Sequence, residues 1–432
     1  MTTPTARQSV GAPDQVLRTR LPGGVRVVTD EVAGASSVNI GIYVGVGSRD
    51  ESTHEHGASH FLEHVLFKGT PTRSAAEISA SIERTGGDLN AFTSHEYTCF
   101  YARVLPEEAG LALEVLTDLA FASVMAPKDI ASERAVILDE IGMHADDPME
   151  MASERSLGML YRGHPLARPV IGSRTSIARM STEVVRGYWA QHYRADRVVV
   201  AASGLIDHDQ VVDGLRALDA SLGRGIIPTR VPPALPVTGG LTLSARDFEQ
   251  SSVSLVVPGV ARTDLRWPVV QVLASILGGG MSSRLFLEVR ENRGLAYSID
   301  ADVHGYSDTG HLEIGWQSAP ERVLPILDIV RRELLDLREQ GVRPGEVDDA
   351  TAALVGQLRL GLESPASRIG RWGPRELLGD PASVASTIAA LQTVGATDVD
   401  AVARQLLAAR PVVGIVGANP GRRSLDRALS AW

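Results

Sequence analysis

The chain has 432 residues, of which 44% are hydrophobic and 22% are charged, and its formal net charge is −10. This composition is ordinary for a folded globular protein, and the length predicts two or more domains. The acidic balance argues against nucleic acid as a partner, because the phosphate backbone would be repelled.

The sequence carries no sign of a membrane segment or a secretory signal. Residues 1–14 are polar and contain Pro4 and Pro13, without the apolar core of a signal peptide. No run of about 18 apolar residues occurs, so we expect no membrane-spanning helix. Cys99 is the only cysteine, which excludes an intrachain disulfide and is typical of a reducing compartment. We therefore expect a cytoplasmic protein with no membrane partner.

The first hundred residues alternate between predicted strands and helices. Apolar residues alternate along residues 38–46, which predicts a strand there, and residues 25–29 form a second predicted strand. Ser74 and Glu77 form a capping box that begins a helix. Residues 89–103 are rich in β-branched and aromatic side chains, which predicts a strand or a hairpin.

His60-Phe61-Leu62-Glu63-His64 carries the strongest chemical signal in the chain. Residues four apart on a helix lie on one face, with Cβ atoms about 5–6 Å apart, which suits two imidazoles that bind one metal ion. Glu63 projects from the same side and can reach a water on that metal. H-x-x-E-H is the inverted counterpart of the H-E-x-x-H helix of zinc peptidases. The alternative is a pair of surface histidines beside a glutamate.

A catalytic zinc ion needs three protein ligands and one open position, so the motif requires a further ligand. Residues 106–122 and 127–144 are predicted helices, and the second carries Glu133 and Glu140. These glutamates are seven residues apart, so both lie on one stripe of the helix. The alternative is a solvated acidic face, but the metal motif favours a role in a site.

The remaining elements of the first half lead to a predicted linker. They are a loop over residues 162–174, a helix over 181–192 and a strand over 197–202. Residues 223–240 contain four prolines and four glycines, which is typical of a linker.

Three features recur at a nearly constant spacing in the second half. Ser36-Ser37-Val38 returns as Ser251-Ser252-Val253, Pro106-Glu107 returns as Pro320-Glu321, and the strand ending at residue 204 is echoed by residues 412–417. This periodicity predicts a duplicated unit: a catalytic domain over 1–222, a linker over 223–240 and a homologous domain over 241–432. The position equivalent to His60 is near Ser275, where no metal ligand stands.

The second half has its own distinctive stretch over residues 278–299, which begins with three glycines. Such a turn before a helix can bind an anion with backbone N–H groups, but no nucleotide-binding motif is present. A substrate contact and a simple turn before an amphipathic helix both remain open. Gly294 predicts a break between Arg290 and Tyr297, and Tyr297 is predicted to begin a strand.

Four stretches resemble, in order, the inverzincin peptidases, the family of pitrilysin, insulysin and the β subunit of mitochondrial processing peptidase. They are HFLEH at 60–64, LNAFTSHEYTCFYA at 89–102, ERAVILDE at 133–140 and VRENRGLAY at 289–297. The chain is most similar to the shorter bacterial members. The resemblance implies an α+β fold with two homologous domains, each a mostly antiparallel sheet flanked by helices, arranged as a clam-shell.

The resemblance also implies roles at a metal site. His60, His64 and Glu140 are expected to bind one zinc ion per chain, with Glu140 at the spacing from His64 at which the family places its third ligand. Glu63 is the expected general base, and Glu133 is expected as a carboxylate behind the site. A zinc ion held there would activate water for attack on a peptide carbonyl.

Two further pairs of residues match substrate contacts of the family. Arg290 and Tyr297 match an arginine–tyrosine pair through which the second domain contacts substrate near the scissile bond. Asn90 and Ala91 match an edge strand that receives substrate as an added strand. Because the longest relatives enclose substrate with four domains, a two-domain chain is expected to work as a homodimer, with a heterodimer as the alternative.

The function implied is a zinc-dependent endopeptidase that cleaves extended peptides or unfolded polypeptide segments. One alternative is a non-catalytic subunit of the same family that binds polypeptide or serves assembly. The intact ligand set together with Glu63 counts against it. Another alternative is a zinc hydrolase that acts on a small molecule, against which the edge strand and the Arg290–Tyr297 pair count.

Overall fold

Two β-sheets, one in each half of the chain, organise the fold. The computed structural model describes residues 16–225, 229–235, 239–380, 382–430 and 432. The polar residues 1–14 and parts of the predicted linker, 226–228 and 236–238, lie outside the described residues.

The first half contributes a sheet and eight α-helices among the described residues. Its strands are β1 Val16–Arg20, β2 Arg26–Glu31, β3 Val38–Val44, β4 Asp88–Thr93, β5 Thr98–Val104 and β6 Val198–Gly204. Its helices are α1 Ala58–Leu66, α2 Ala75–Glu83, α3 Ala109–Ala122, α4 Pro127–His144, α5 Pro148–Leu160, α6 Arg174–Arg179, α7 Thr182–His192 and α8 His208–Leu222.

The first sheet has the strand order β1-β2-β6-β3-β5-β4. Only β2 and β6 run parallel, and the other neighbours are antiparallel. The central strands β3 and β6 are buried along their whole length, because helices cover both faces of the sheet. Strand β4 lies at the edge and its residues alternate between exposed and half-buried.

The second half contains the other sheet and seven α-helices among the described residues. Its strands are β7 Gly240–Ser244, β8 Ser251–Pro258, β9 Ile299–Gly305, β10 Gly310–Ser318 and β11 Val412–Val416. Its helices are α9 Trp267–Gly278, α10 Val323–Gln340, α11 Glu346–Gly361, α12 Pro365–Leu378, α13 Val384–Gln392, α14 Ala396–Leu406 and α15 Arg422–Leu429.

The second sheet repeats the topology of the first. Its order is β7-β11-β8-β10-β9, with β7 and β11 parallel and the other pairs antiparallel, which matches β2-β6-β3-β5-β4 strand for strand. Pro106 and Pro320 both begin a short 3₁₀ turn that leads into a long helix. Ser275 lies in α9, which follows β8 as α1 follows β3. The predicted duplication and the predicted α+β class are confirmed.

One helix from each half packs on the sheet of the other half. Helix α5 packs on β8 and β11 of the second sheet, and helix α12 packs on β3 and β6 of the first. The approach is close on both sides: a Cβ added to Gly414 would lie 2.3 Å from the carbonyl oxygen of Ala152, and one added to Gly373 would lie 2.3 Å from the ring of Tyr43. The two halves are therefore joined through reciprocal helices, as well as through the linker.

Sequence patterns predicted the main elements around the metal motif but missed α5, and they gave no prediction for α6, α8 and most helices of the second half. The face that α5 buries includes Met151 and Leu160, but Ala152 and Ser156 between them are small, so the stripe gives a weak apolar signal. The second difference lies near Tyr297. The strand begins at Ile299 rather than at Tyr297, and Phe286–Glu291 forms a π-helical turn.

No single helix in the described part of the chain is both long and apolar enough to cross a bilayer. The helical stretches Pro106–Ala122 and Pro127–His144 meet the length and composition limits only as a pair, and that pair is bent by 97°.

Candidate metal centre

Helix α1 begins in a way that orients the HxxEH motif. Gly57 precedes the helix with a φ of 90°, a left-handed conformation that favours glycine. The carboxylate of Glu51 accepts hydrogen bonds from the backbone N–H groups of Gly57, at 2.7 Å, and Ser59, at 2.8 Å. These bonds satisfy donors that a helix N-terminus leaves unpaired. Phe61 and Leu62 are fully buried, so the polar residues of the motif face the opposite side.

His60, His64 and Glu140 converge where α1 packs against α4. The Nε2 atom of His64 lies 3.4 Å from Glu140 Oε2, and the Nε2 atom of His60 lies 3.8 Å from the same oxygen. The two imidazole planes meet at 65°, with ring centroids 4.7 Å apart. A tetrahedral zinc ion with bonds of about 2.0–2.1 Å holds its ligands about 3.3–3.5 Å apart. The arrangement fits a zinc ion with little adjustment.

Unpaired buried atoms at this cluster support the same conclusion. Within the described residues, Glu140 Oε2 and His60 Nδ1 are buried and make no hydrogen bond of normal geometry. Burial, with help from the neighbouring His64, lowers the pKa of His60 to about 4, so its imidazole is neutral near pH 7. The His64 imidazole lowers the pKa of Glu140, which keeps the carboxylate ionised. A neutral imidazole and an ionised carboxylate are the forms that bind metal.

Glu133 lies behind His64 and fixes its orientation. Its Oε2 atom is 3.1 Å from His64 Nδ1, and its Oε1 atom is 2.6 Å from Lys68 Nζ. When Nδ1–H donates to a carboxylate, the lone pair of Nε2 is left for a metal. Burial opposes protonation of His64, but Glu140 and Glu133 outweigh it and raise the pKa of His64. A metal ion at Nε2 would therefore compete with a proton.

Glu63 faces a cavity of about 460 Å³ that the candidate ligands His60 and Glu140 also line. Its Oε2 atom accepts a hydrogen bond from the hydroxyl of Thr93, the last residue of edge strand β4. Burial raises the pKa of Glu63, because the charged form loses hydration. A carboxylate with a raised pKa beside an open cavity is suited to accept and return a proton.

The described residues that line the cavity all belong to the first half, and helices α1 and α4 contribute to its walls. Strand β4 provides Ala91 and Thr93, helix α5 provides Glu150 and Glu154, and the loop over residues 166–171 closes the remaining side. Glu63 and Glu140 face the same space, so the wall is rich in carboxylates.

Several of these side chains were not anticipated from the sequence. Glu150 and Glu154 were missed with α5, while Lys68 and Thr93 carry no pattern that marks them. His144 does carry a signal, because it stands four residues after Glu140 on α4. Its Nδ1 atom lies 2.8 Å from Glu150 Oε2.

The two predicted substrate-binding pairs lie in different places. Asn90 and Ala91 lie on edge strand β4, where Ala91 lines the cavity and its N–H donates to Asn90 Oδ1. The Arg290 guanidinium lies 5.0 Å from the ring centroid of Tyr297, so these two residues are together. Tyr297 is 83% exposed, and neither residue is among the described residues that line the cavity.

A second group of metal-binding residue types lies in the other half. His304, His311 and Glu313 lie on the adjacent strands β9 and β10, and each can bring one ligand atom within 4.8 Å of the others. The two imidazoles are stacked, with planes only 18° apart and centroids 4.8 Å apart. A metal ion bound by an imidazole lies in the plane of its ring. Two nearly parallel, displaced planes do not offer one such point.

Comparison with known sequences agrees with this geometry. Residues 26–174 match the sequence model of the insulinase family, peptidase family M16, and residues 179–354 match that of the M16 inactive domain. An uncharacterized zinc protease of Mycobacterium bovis is 40% identical over 96% of both chains. One from Streptomyces coelicolor is 40% identical over 93% of this chain and 89% of that protein. A relative in Bacillus subtilis, also named an uncharacterized zinc protease, is 36% identical over 89% of this chain and 93% of that protein.

Solved structures share the fold at lower sequence identity. A protease from Helicobacter pylori aligns with a TM-score of 0.87 and 19% identity over 94% of this chain and 99% of that chain. A chain in complex III2 from Candida albicans aligns with a TM-score of 0.83 and 20% identity over 96% of this chain and 99% of that chain. On the strength of the two sequence models and of relatives that match almost end to end, this chain belongs to the insulinase family of peptidases, family M16.

Proposed function

We propose that this protein is a zinc-dependent endopeptidase that cleaves extended peptides or unfolded polypeptide segments, with one zinc ion per chain. The observation that carries the proposal is the convergence of His60, His64 and Glu140 within one cluster, with Glu63 on the same cavity. A zinc protease is also what the similar chains are named.

The chain's own residues account for the proton movements and the positioning. A zinc ion bound by His60, His64 and Glu140 would polarise the scissile carbonyl and make a water molecule more acidic. Glu63 takes a proton from the attacking water and delivers it to the leaving amine. Thr93 holds the Glu63 carboxylate by its hydroxyl, and Glu133 holds the His64 ring. Each of these contacts orients a group before substrate arrives.

Strand β4 is the proposed substrate-binding edge. It pairs only with β5 among the described strands, and its last residue contacts the proposed base. A peptide added to this edge would lie along the cavity and would be held by its backbone. Such pairing needs an extended segment, so folded proteins are expected to be poor substrates.

The acidic wall of the cavity favours a basic side chain next to the scissile bond. Glu154 lines the cavity and makes no ion pair among the described residues, and burial raises the pKa of its carboxyl group. A lysine or arginine of the substrate would supply the missing countercharge. Matched peptides with arginine or glutamate at one position test this, and Glu154→Gln should reduce the preference for arginine. Equal rates for the two peptides would contradict it.

Arg290 and Tyr297 are proposed to act on the metal site of a second copy of the chain. Tyr297 is exposed, Arg290 is half-buried, and both lie outside the cavity of their own chain, so a homodimer is the simplest assembly that uses them. Tyr297→Phe should lower turnover, with zinc content and folding unchanged.

Mixing variants tests whether the pair acts across the dimer. Glu63→Gln and the double variant Arg290→Ala/Tyr297→Phe are each expected to be impaired alone. After random exchange of subunits in an equal mixture, about a quarter of all sites would combine an intact Glu63 with an intact pair from the partner chain. Recovery to about this level supports action in trans. No recovery despite demonstrated subunit exchange contradicts it.

A non-catalytic polypeptide-binding or assembly subunit is the second candidate. The fold match to a chain of complex III2 is the observation that favours it, while the intact His60–Glu63–His64–Glu140 set opposes it. The deciding experiment measures the metal content of the purified protein and its cleavage of an unfolded peptide, before and after chelation. We expect about one zinc per chain and cleavage that chelation abolishes and zinc restores. A metal-loaded protein that cuts no peptide in a broad library would support the second candidate.

A further inference from the structure

A largely buried network of ion pairs joins the two halves beside the metal cavity. The Arg49 side chain is 2% exposed, and its guanidinium pairs with both carboxylate oxygens of Asp308, at 2.9 Å each. The same guanidinium donates to Glu96 Oε1 at 2.6 Å. Arg49 and Glu96 belong to the first half, whereas Asp308 lies in the turn between β9 and β10 of the second half.

Glu96 is the centre of this network. Besides Arg49, it accepts hydrogen bonds from the backbone N–H of Ser307, at 2.9 Å, and from the Ser307 hydroxyl, at 2.6 Å. Arg230 lies 3.2 Å from the Glu96 carboxylate and also donates to the Glu96 carbonyl oxygen. The carboxylate therefore has donors from both halves and from a residue between them.

The turn that carries Glu96 joins β4 to β5, and it is held from both sides. The carbonyl oxygens of Ser94 and His95 accept hydrogen bonds from the N–H groups of Ser48 and Arg49, at 3.2 Å and 3.0 Å. On the other side stand Ser307 and Asp308 of the second half. The turn begins directly after Thr93, which donates to Glu63.

We propose that Arg49, Glu96 and Asp308 form an interdomain latch that positions strand β4 and, through Thr93, the carboxylate of Glu63. Glu96 and Asp308 are positioning residues, because neither lines the metal cavity. The inference rests on the proposed peptidase function and adds a role for the second half within its own chain. When the halves separate at this point, Glu96 loses its hydrogen bonds from Ser307 and Arg49 loses its ion pair with Asp308, so the β4–β5 turn is held from one side only and the substrate edge is less firmly positioned.

Asp308→Asn tests the latch, because it removes one charge with little change in shape. We expect kcat/KM to fall about 10- to 100-fold with part of the loss in kcat, because a small displacement of a catalytic group has effects of that size. Metal content should stay unchanged. Hydrogen–deuterium exchange of the backbone amides over residues 88–97 should become faster. Ser307→Ala is the milder variant, with smaller changes in the same direction, and serves if Asp308→Asn fails to fold.

Asp30→Asn is the matched control, because Asp30 is another buried carboxylate that joins the two halves. It accepts hydrogen bonds from Arg368, at 2.8 and 2.9 Å, and from the Trp372 indole, at 2.8 Å, and none of the three lines the metal cavity. Loss of stability alone would affect both variants alike. We expect Asp30→Asn to lower the melting temperature while kcat/KM of the folded enzyme and exchange over 88–97 stay within about twofold of wild type.

The two readouts separate failure of the latch from failure of the proposed function. Unchanged exchange over residues 88–97 in the Asp308 and Ser307 variants overturns the latch, whether or not the wild type cleaves peptides. Kinetic constants of Asp308→Asn equal to those of Asp30→Asn also overturn it. A wild type without chelator-sensitive cleavage overturns the peptidase proposal, while the exchange data still decide whether the network holds the turn.

Discussion

Two groups of two histidines and one glutamate occur within the described part of the chain, and they differ in the elements that carry them. His60 and His64 are one helical turn apart on α1, and their planes meet at 65°. His304 and His311 are direct partners on β9 and β10, and their rings stack with planes 18° apart. On α1 the helical turn directs the two rings toward a common point, whereas the pair on β9 and β10 lies face to face.

The partners of the two groups differ as well. His64 Nδ1 faces Glu133, which leaves Nε2 toward Glu140. In the second group the Tyr161 hydroxyl lies 3.0 Å from His311 Nδ1, and Glu313 accepts a hydrogen bond from Ser254. Thus the second group is part of the contact with α5, which carries the residues before Tyr161. Residue type and proximity alone do not define a metal site, because the lone pairs must also converge.

The largest expected effect is that of Glu63→Gln, which separates chemistry from metal binding. The general base should be lost while all three ligands remain, so kcat/KM for an unfolded peptide should fall about 100- to 10,000-fold. Zinc content, measured by mass spectrometry of the purified protein, should match wild type. Cleavage near the wild-type rate would remove Glu63 from the mechanism.

Matched alanine variants in the two groups test the comparison directly. Glu140→Ala should weaken zinc binding at least about 100-fold, because it removes a direct ligand and leaves two imidazoles. Glu313→Ala should leave zinc content unchanged. Both are measured by competition with a chelator of known affinity. Equal zinc content in wild type and Glu140→Ala would refute the ligand assignment, and zinc lost only in Glu313→Ala would reverse the comparison.

Glu133→Ala tests the support behind His64. Loss of such an orienting carboxylate typically lowers activity or metal affinity about 10- to 100-fold, and we expect reduced cleavage with most of the metal retained. Glu133→Gln keeps an acceptor for Nδ1–H and should be milder. Zinc loss as complete as in Glu140→Ala would instead identify Glu133 as a ligand.

Thr93→Val should have the smallest effect of the four. It removes the hydroxyl donor to Glu63, and loss of a hydrogen bond worth about 1 kcal/mol corresponds to roughly a fivefold lower kcat. The bond favours the ionised carboxylate, so its removal should raise the pKa of Glu63 further and move the acid limb of the pH profile of kcat/KM upward. Thr98→Val is the control, because Thr98 donates to Val46 instead. An unshifted acid limb would contradict this role of Thr93.

Much of the fold follows from short-range features of the sequence. The HxxEH motif lies on a helix, as predicted, so His60 and His64 share a face. Ser74 and Glu77 form the predicted capping box. Residues 89–103 were predicted as a strand or a hairpin and form the β4–β5 hairpin, and the predicted duplication appears as the same strand order in both sheets. These features depend on neighbouring residues or on a repeat, and both can be read along the chain.

Long-range contacts decided the rest, because no local pattern specifies which distant elements meet. Helix α5 was missed because small residues such as Ala152 and Ser156 interrupt its apolar stripe where it packs on the sheet of the other half, and the acidic cavity wall was missed with it. Only the packing of α1 against α4 brings Glu140 to the two histidines. Residue types alone do not tell the convergent rings of α1 from the stacked rings of β9 and β10. The orientation of helices and strands in the folded chain makes that distinction, because it sets where each lone pair is directed.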